Sequence, residues 1–271
     1  MRIARHLPLA LLLSFGSACA SAALNVDSSH YAYSTTFDSL SASGSSTWTN
    51  DRTLAGWSLF DKNLAAIGSY AAGDGSSNAG SFYSYGSIGL SDRALGGLGS
   101  GSAYFGAPAS GEVAGWIAVA FNNASGGALS GFTLRFDGEQ WRNGGNRSGQ
   151  TMKLEYGFGS RFDRVDQWIA PGARFDWTSP VTGSTAASVD GNTRGRVADL
   201  GGTITTAWAA DETLWIRWTE RNDVGNDHGL AIDNVRLSVT SPVPEPDTYA
   251  LLLAGLGLLG SITLRRQAPA N

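Results

Sequence analysis

The spacing of apolar residues predicts β-strands along much of the chain. In the clearest stretch, Phe132, Leu134 and Phe136 alternate with polar residues. A period of two puts successive side chains on opposite faces of a strand, so this stretch predicts a strand with one buried face. The same alternation recurs over 117–121, 152–158 and 235–239.

No stretch between Leu24 and Ser241 has the periodicity of an amphipathic helix over about 12 residues. The connections are rich in glycine, which supplies 36 of the 271 residues. Many short strands joined by such turns are typical of two packed sheets. The sequence therefore predicts an all-β fold over residues 24–241, an antiparallel β-sandwich with jelly-roll-like connectivity.

The C-terminal pattern is different. The 16 residues from Tyr249 to Leu264 are largely apolar and carry no charge, and Arg265 and Arg266 follow them. As a helix this run is about 24 Å long, slightly less than the roughly 30 Å core of a bilayer. A docked core helix is the alternative, but it would need a polar face, which this run lacks. We therefore predict a transmembrane helix over 249–264 with its basic end, 265–266, on the cytoplasmic side.

A short motif precedes this run. Pro244, Glu245 and Pro246 come first, so a Pro-Glu-Pro motif, an apolar segment and a basic pair follow one another. This order resembles the PEP-CTERM sorting signal of exported bacterial proteins, with residues 242–271 as the signal. The resemblance implies that an exosortase, a membrane-embedded processing enzyme, removes the tail. The extension Gln267–Asn271 beyond the arginines departs from the family pattern.

The N-terminus predicts export by the secretion machinery. Arg2 and Arg5 precede an apolar segment, and Ala18-Cys19-Ala20 follows as a small-residue cleavage site. These are the parts of a secretory signal peptide, which we place at residues 1–23. Cleavage before Cys19, with lipidation of that cysteine, is an alternative. Gly16 disfavours it, because lipoprotein signals usually have an aliphatic residue at that position.

Charge and cysteine content limit the partners of the exported body. The chain has a net charge of −4 and a single cysteine, Cys19. An acidic body disfavours binding to nucleic acid, whose phosphates require basic residues. A body without cysteine must be held by its core and its hydrogen bonds, without disulfides. We expect a membrane-anchored precursor that then reaches the cell surface or the extracellular space.

Two carboxylates end the clearest strand. Asp137 and Glu139 are two residues apart, so both can point to one face, about 6–7 Å from each other. Glycoside hydrolysis uses paired carboxylates near this separation. A strand-end turn at Asp137-Gly138 explains the pair without catalysis. The sequence thus favours a protein that is not an enzyme, with a glycoside hydrolase as an alternative.

Acidic residues near the last strand suggest two further roles. Asp223 and Asp227 offer oxygen ligands of the kind that Ca²⁺ prefers, and no other cofactor is predicted. Their spacing does not match an EF-hand loop, and Asx turns explain most such clusters. Asp233 shares the phase of the apolar positions in the last strand, so we predict that it is buried. A buried carboxylate needs a partner, for which Arg217 is the candidate.

Trp141 is the predicted carbohydrate contact, in a stretch with Asp137, Glu139 and Arg142. The polar neighbours predict an exposed loop over 138–149. A sugar ring can stack on an exposed aromatic face while nearby polar groups bind its hydroxyls. Packing of the ring against the edge of the sandwich is the alternative. The tryptophans predicted to lie in the core are Trp116, Trp215 and Trp218.

Three short patches of the body resemble secreted jelly-roll domains of the concanavalin-like and MAM-like kind, namely 92–96, 136–141 and 228–234. The resemblance implies a jelly-roll fold, which hosts several unrelated functions. We predict a non-catalytic structural or adhesive module at the cell surface or in the extracellular matrix. The alternative is a carbohydrate-binding module with an extracellular polysaccharide as its partner.

Overall fold

The structure, a computed structural model, describes residues 23–240 together with Ala254 and Leu256. The predicted signal peptide, apart from Ala23, lies outside these residues, as do the motif 244–246 and the basic end 265–266. The predicted span 249–264 also lies outside them, except for Ala254 and Leu256. Among the described residues, no helix is long and apolar enough to cross a membrane.

Residues 24–240 form fifteen β-strands and no α-helix, with two short 3-10 turns at Ala103–Phe105 and Phe162–Arg164. The all-β prediction for the body is therefore confirmed. The strands are β1 (Leu24–Val26), β2 (Ala32–Thr35), β3 (Ser45–Thr47), β4 (Trp57–Asp61), β5 (Ser69–Gly73), β6 (Ser81–Tyr85), β7 (Ala94–Leu98), β8 (Val113–Asn123), β9 (Leu129–Asn143), β10 (Thr151–Phe158), β11 (Trp177–Thr178), β12 (Ala187–Ser188), β13 (Arg196–Trp208), β14 (Thr213–Arg221) and β15 (Gly229–Thr240).

The strands form two sheets. In the six-stranded sheet A, β1 and β4 both pair with β8, which is followed by β14, β10 and β11. In the nine-stranded sheet B, β12 and β13 pair with one edge of β9, and β15 pairs with its other edge. The free edge of β15 then pairs with β2 and with β7, from which β6, β5 and β3 continue the sheet. The β1–β8 and β5–β6 pairs are parallel and the other pairs are antiparallel, so both sheets are mixed.

The inner faces of the two sheets enclose the central apolar core. Phe132, Leu134 and Phe136 of β9 are at most 1% exposed, which confirms that one face of this strand is buried. Phe136 of sheet B meets Trp218 of sheet A edge to face, with ring centroids 5.5 Å apart. Burial of each such side chain contributes about 2 kcal/mol. The apolar residues that alternate in the sequence are thus the residues that pack sheet B against sheet A.

The outer face of sheet A carries a second apolar cluster beneath the connection that follows β10. Phe162 of this connection meets Trp215 edge to face, with ring centroids 5.6 Å apart. Trp116 and Trp215 belong to this cluster, and Trp218 belongs to the central core. The prediction that the three tryptophans are buried is confirmed, although only Trp218 lies between the sheets.

The outer face of sheet B is covered by two chain segments at the end of β9. Gly75 lies against the carbonyl group of Trp141, and Gly191 lies against its indole ring. A Cβ atom at either glycine would collide with the tryptophan, so glycine is what allows both segments to approach so closely. This enclosed face contains most of the residues that the sequence singled out for chemistry.

Candidate functional site

Three carboxylates share the enclosed face of sheet B. Asp137 and Glu139 alternate along β9, so their side chains leave the same face of the strand. In the adjacent β15, Asp233 is directly opposite Asp137, and Ala231 is opposite Glu139. The register therefore brings Asp233 to the same face as the other two. We call Asp137, Glu139 and Asp233 the carboxylate cluster.

Asp137 is fully bound within the protein. Its Oδ2 atom lies 2.6 Å from the Arg196 guanidinium and accepts a hydrogen bond of 3.0 Å from the Asn234 amide. Its Oδ1 atom accepts a hydrogen bond of 2.8 Å from the backbone N–H of Asp199. Arg196 opens β13 and Asn234 lies in β15, so Asp137 ties together the strands on both sides of β9.

Glu139 has one bound and one unbound carboxylate oxygen. The Trp141 indole N–H donates to Oε2 over 2.9 Å, whereas Oε1 is buried without a hydrogen-bond partner. Burial raises the pKa of Glu139 to about 7, and the nearby Asp92 and Asp137 act in the same direction. The Trp141 bond and Arg196 lower this pKa but do not outweigh burial. Glu139 therefore carries a proton over much of the acidic pH range.

Asp233 is buried, as predicted, with 1% exposure. Its Oδ2 atom accepts a hydrogen bond of 3.0 Å from the Asn234 amide, and its Oδ1 atom has no partner. Burial raises the pKa of Asp233 to about 8, with a further increase from the charges of Glu139, Asp92 and Asp38. Loss of a proton from either Glu139 or Asp233 makes ionisation of the other less favourable.

The predicted pairing of Asp233 with Arg217 is wrong. Arg217 lies on β14 of sheet A, where its guanidinium is 2.6 Å from the Glu155 carboxylate of the adjacent β10. Asp233 belongs to β15 of sheet B, so the two side chains are on different sheets. Asp233 stays buried without an ion pair because it retains its proton, which removes the charge that a partner would neutralise.

The prediction of an exposed Trp141 in a polar loop is also wrong. β9 continues to Asn143, and Trp141 is 1% exposed. Its ring is parallel to that of Tyr85, with centroids 6.1 Å apart. Trp141 instead packs against the edge of the sandwich, which was the alternative interpretation of its sequence. A sugar cannot reach the ring while the covering segments are in place.

Polar side chains at the end of β9 bind the backbone of covering segments. Arg142 donates hydrogen bonds of 2.9 and 3.0 Å to the carbonyl groups of Gly75 and Ser76. Gln140 both donates to and accepts from the backbone of Val181. Gln140 and Arg142 can therefore lie in a buried strand, because the backbone of neighbouring loops satisfies the hydrogen bonds of their side chains.

The geometry does not favour a hydrolytic role for Asp137 and Glu139. The two side chains do share a face, as predicted, but both residues are less than 5% exposed. Asp137 is bound by three groups, and Glu139 lies beneath Trp141 and Gly191. A glycosidase needs both carboxylates to reach the sugar and one of them to reach water.

Asp223 and Asp227 lie in the connection between β14 and β15. The Asp227 carboxylate accepts a hydrogen bond of 2.6 Å from the Asp223 backbone N–H, which closes a turn. Burial raises the pKa of Asp227 to about 7. Across the described part of the chain, no group of three or more His, Cys, Asp or Glu residues could hold a metal ion. Binding of Ca²⁺ at Asp223 and Asp227 stays a prediction.

Glu220 is a buried acid that the sequence analysis missed. Its Oε1 atom accepts a hydrogen bond of 2.8 Å from the Gly99 N–H, and its Oε2 atom is buried without a partner. Burial raises its pKa well above the usual range, with further contributions from Asp227 and Asp223. Glu220 has the same alternation phase as the buried Trp218, and this phase is the signal that predicts its burial.

A partly exposed aromatic surface lies on the opposite side of the protein. The Arg217 guanidinium is 3.8 Å from the ring centroid of Trp168 and 5.0 Å from that of Trp116. Trp168 and Glu155 are half-buried, so part of each faces solvent. We call Trp116, Trp168, Glu155 and Arg217 the arginine–tryptophan patch. Trp168 follows a polar stretch with no strand pattern, which is why the sequence did not draw attention to it.

Two grooves open on the surface of the body. One has a volume of about 660 Å³ and is lined by residues that include Asp166, Asp211 and Glu212. The other has a volume of about 340 Å³, and its lining includes Arg135 and Arg236. None of the predicted catalytic, metal or carbohydrate residues lines either groove. The predicted catalytic and carbohydrate residues are buried, whereas Asp223 and Asp227 are half-buried in their loop.

Comparison with known proteins identifies the C-terminal segment. Residues 242–267 match the family model of the PEP-CTERM protein-sorting motif. This confirms the predicted sorting motif, which implies an exported, sorted precursor that an exosortase recognises. No curated protein sequence matches the chain.

Two solved structures have partial similarity to the body. The CBM22-1 xylan-binding domain of Xyn10C from Paenibacillus barcinonensis is 7% identical, with a TM-score of 0.35 over 80% of this chain and 99% of that one. The K3 cleaved adhesin domain of Lys-gingipain from Porphyromonas gingivalis w83 is 12% identical, with a TM-score of 0.36 over 68% of this chain and 92% of that one. Similarities this weak do not establish a shared topology.

Proposed function

We propose that this chain is an exported precursor whose tail is removed by an exosortase. Its β-sandwich then acts at the cell surface or in the extracellular matrix as a non-catalytic structural or adhesive module. The match of residues 242–267 to the sorting motif is the observation that carries this proposal. The enclosed carboxylates support the non-catalytic part, because no substrate reaches Asp137 or Glu139 in this arrangement.

Replacing Pro244, Glu245 and Pro246 together with alanine tests the processing step. We expect the variant to stay in the membrane fraction with its tail intact, because the processing enzyme no longer recognises it. The matched control is Ser241→Ala, which changes the residue just before the matched segment 242–267. Western blots of membrane and released fractions measure the result, and release of the alanine variant at the wild-type level would contradict the proposal.

Carbohydrate recognition is the second candidate, and the arginine–tryptophan patch favours it. Trp168 presents part of an aromatic ring to solvent beside the charged groups of Glu155 and Arg217. An aromatic surface flanked by hydrogen-bonding groups is suited to a sugar ring and its hydroxyls. Trp168 thus takes the role that the sequence analysis gave to Trp141.

Trp168→Ala separates binding from folding in this second candidate. We expect at least tenfold weaker binding to extracellular polysaccharide from the producing cells, equivalent to about 1.4 kcal/mol. The loss in folding stability should be within about 1 kcal/mol, because the ring is half-buried and loses its contacts with Arg217 and Phe162.

The control for Trp168→Ala is Ile88→Ser, which changes a side chain that is 86% exposed elsewhere on the surface. Titration calorimetry and thermal unfolding give the two quantities for each variant. Equal binding by wild type and Trp168→Ala, or no binding by wild type, would exclude the patch as a glycan contact.

A further inference from the structure

The carboxylate cluster lies beneath residues 189–196, which we call the cover segment. The Val189 N–H donates to the Trp141 carbonyl over 2.8 Å, and the Gly195 carbonyl accepts from the Gln140 N–H over 2.9 Å. These two backbone bonds fix the ends of the segment to β9. Between them, Gly191 packs on the indole ring of Trp141. The cover segment therefore closes the outer face of sheet B.

Two side-chain bonds to carboxylates complete this attachment. The Asn192 amide donates to the Asp92 carboxylate over 2.6 Å, and the Arg196 guanidinium is 2.6 Å from Asp137. The Asp137 side chain is 6% exposed, whereas that of Arg196 is 43% exposed. The cover segment is thus held in part by the same group of acids that it encloses.

Acids outnumber bases around the cluster. In the described part of the chain, the charges that act on Glu139 and Asp233 come from Asp38 before β3, Asp92 before β7, Asp137 on β9 and Arg196 on β13. Arg93 acts in turn on Asp38 and Asp92, and the cover segment itself carries Asp190 and Arg194. Glu139 and Asp233 each have a buried oxygen without a hydrogen-bond partner.

We propose that Glu139 and Asp233 form a proton-operated latch that keeps the cover segment closed when both are protonated and releases it when they ionise. Protonated carboxyl groups are neutral and can remain beneath the segment. Ionised carboxylates require hydrogen-bond donors, and one buried oxygen of each group has no hydrogen-bond partner in the closed arrangement. Movement of the cover segment admits water, and it exposes the aromatic stack of Trp141 and Tyr85.

The pH range of the latch follows from the two groups. Their pKa values of about 7 and about 8 place ionisation between neutral and mildly alkaline conditions. The segment should therefore be closed at pH 5.5 and open for a larger fraction of the time at pH 9. Strand β8 in sheet A carries no titrating side chain, so it should stay protected throughout.

Amide hydrogen exchange measured by mass spectrometry tests the latch on the full chain. For peptides covering 189–196, exchange is divided by the intrinsic rate at each pH between 5.5 and 9. We expect protection in these peptides to fall at least about tenfold across this range, while peptides from β8 keep their protection. Unchanged protection of the cover segment would overturn the proposal, as would an equal loss in all peptides.

Two substitutions locate the titrating groups. Asp233→Asn and Glu139→Gln each remove one ionisation, so each should keep the cover segment more protected at pH 9 than in the wild type. Glu112→Gln, which changes an exposed acid far from the cluster in sequence, is the matched control and should behave like the wild type. If one cluster variant does not fold, the other provides the test. Wild-type exchange profiles in a folded cluster variant would overturn the assignment to these residues.

Discussion

Replacing Trp141 with alanine should lower the free energy of unfolding by about 3–5 kcal/mol. The ring is 1% exposed, packs against Tyr85, and donates the only hydrogen bond that Glu139 accepts in the described structure. Its removal leaves a cavity and deprives Glu139 of that bond. Chemical denaturation of wild type and variant at pH 6 measures the change.

Trp141→Phe separates the two contributions. It retains most of the aromatic volume but loses the indole N–H, so we expect a smaller loss of stability than with alanine. An alanine variant as stable as the wild type would show that the ring is not packed beneath Gly191. It would also return Trp141 to the exposed position that the polar sequence around it predicts.

Raising the pH from 5.5 to 9 should lower the free energy of unfolding by on the order of 5 kcal/mol through the carboxylate cluster. In the folded chain, burial raises the pKa of Glu139 to about 7 and that of Asp233 to about 8. The folded chain therefore keeps protons that the unfolded chain has already released. This stabilisation is complete below the ordinary pKa of a carboxylic acid, falls as the pH rises, and is lost above about pH 8.

Denaturation curves at several pH values check the sign and size of this effect. Asp233→Asn should flatten the dependence, although Glu220 and Asp227 leave part of it because burial raises their pKa values too. Glu112→Gln should retain the full dependence, since Glu112 is exposed. Stability that rises between pH 6 and 9, or an unchanged slope in Asp233→Asn, would contradict the assignment.

The sequence predicts the central core because a period of two is a local property. Phe132, Leu134 and Phe136 are apolar at every second position, and the structure buries this face. Beyond Phe136 the outer face of the same strand is also covered, but by segments distant in sequence. The polar sequence around Trp141 therefore predicts a loop, whereas in the structure Trp141 is a buried residue of β9.

An alternation with a period of two does not show which side chains from other strands will pair with each other. Asp233 is buried, but a bulge between Asp233 and Arg236 turns it to the outer face opposite Asp137, whereas Val235 of the same sequence phase lies in the central core. Arg217 is a suitable partner by charge, yet β14 belongs to the other sheet and places it beside Glu155. The sorting motif is different, because its three parts follow one another along the chain and need no tertiary contact to be recognised.

Mass spectrometry of the protein released by the producing cells tests export and processing most directly. Peptides covering both termini of the released form would be compared with those of the membrane-bound precursor. Signal-peptide and exosortase processing predict a released chain that begins after the 1–23 segment and has no peptide beyond about Pro246. Recovery of released protein that still contains Arg265 and Arg266 would contradict the proposed function.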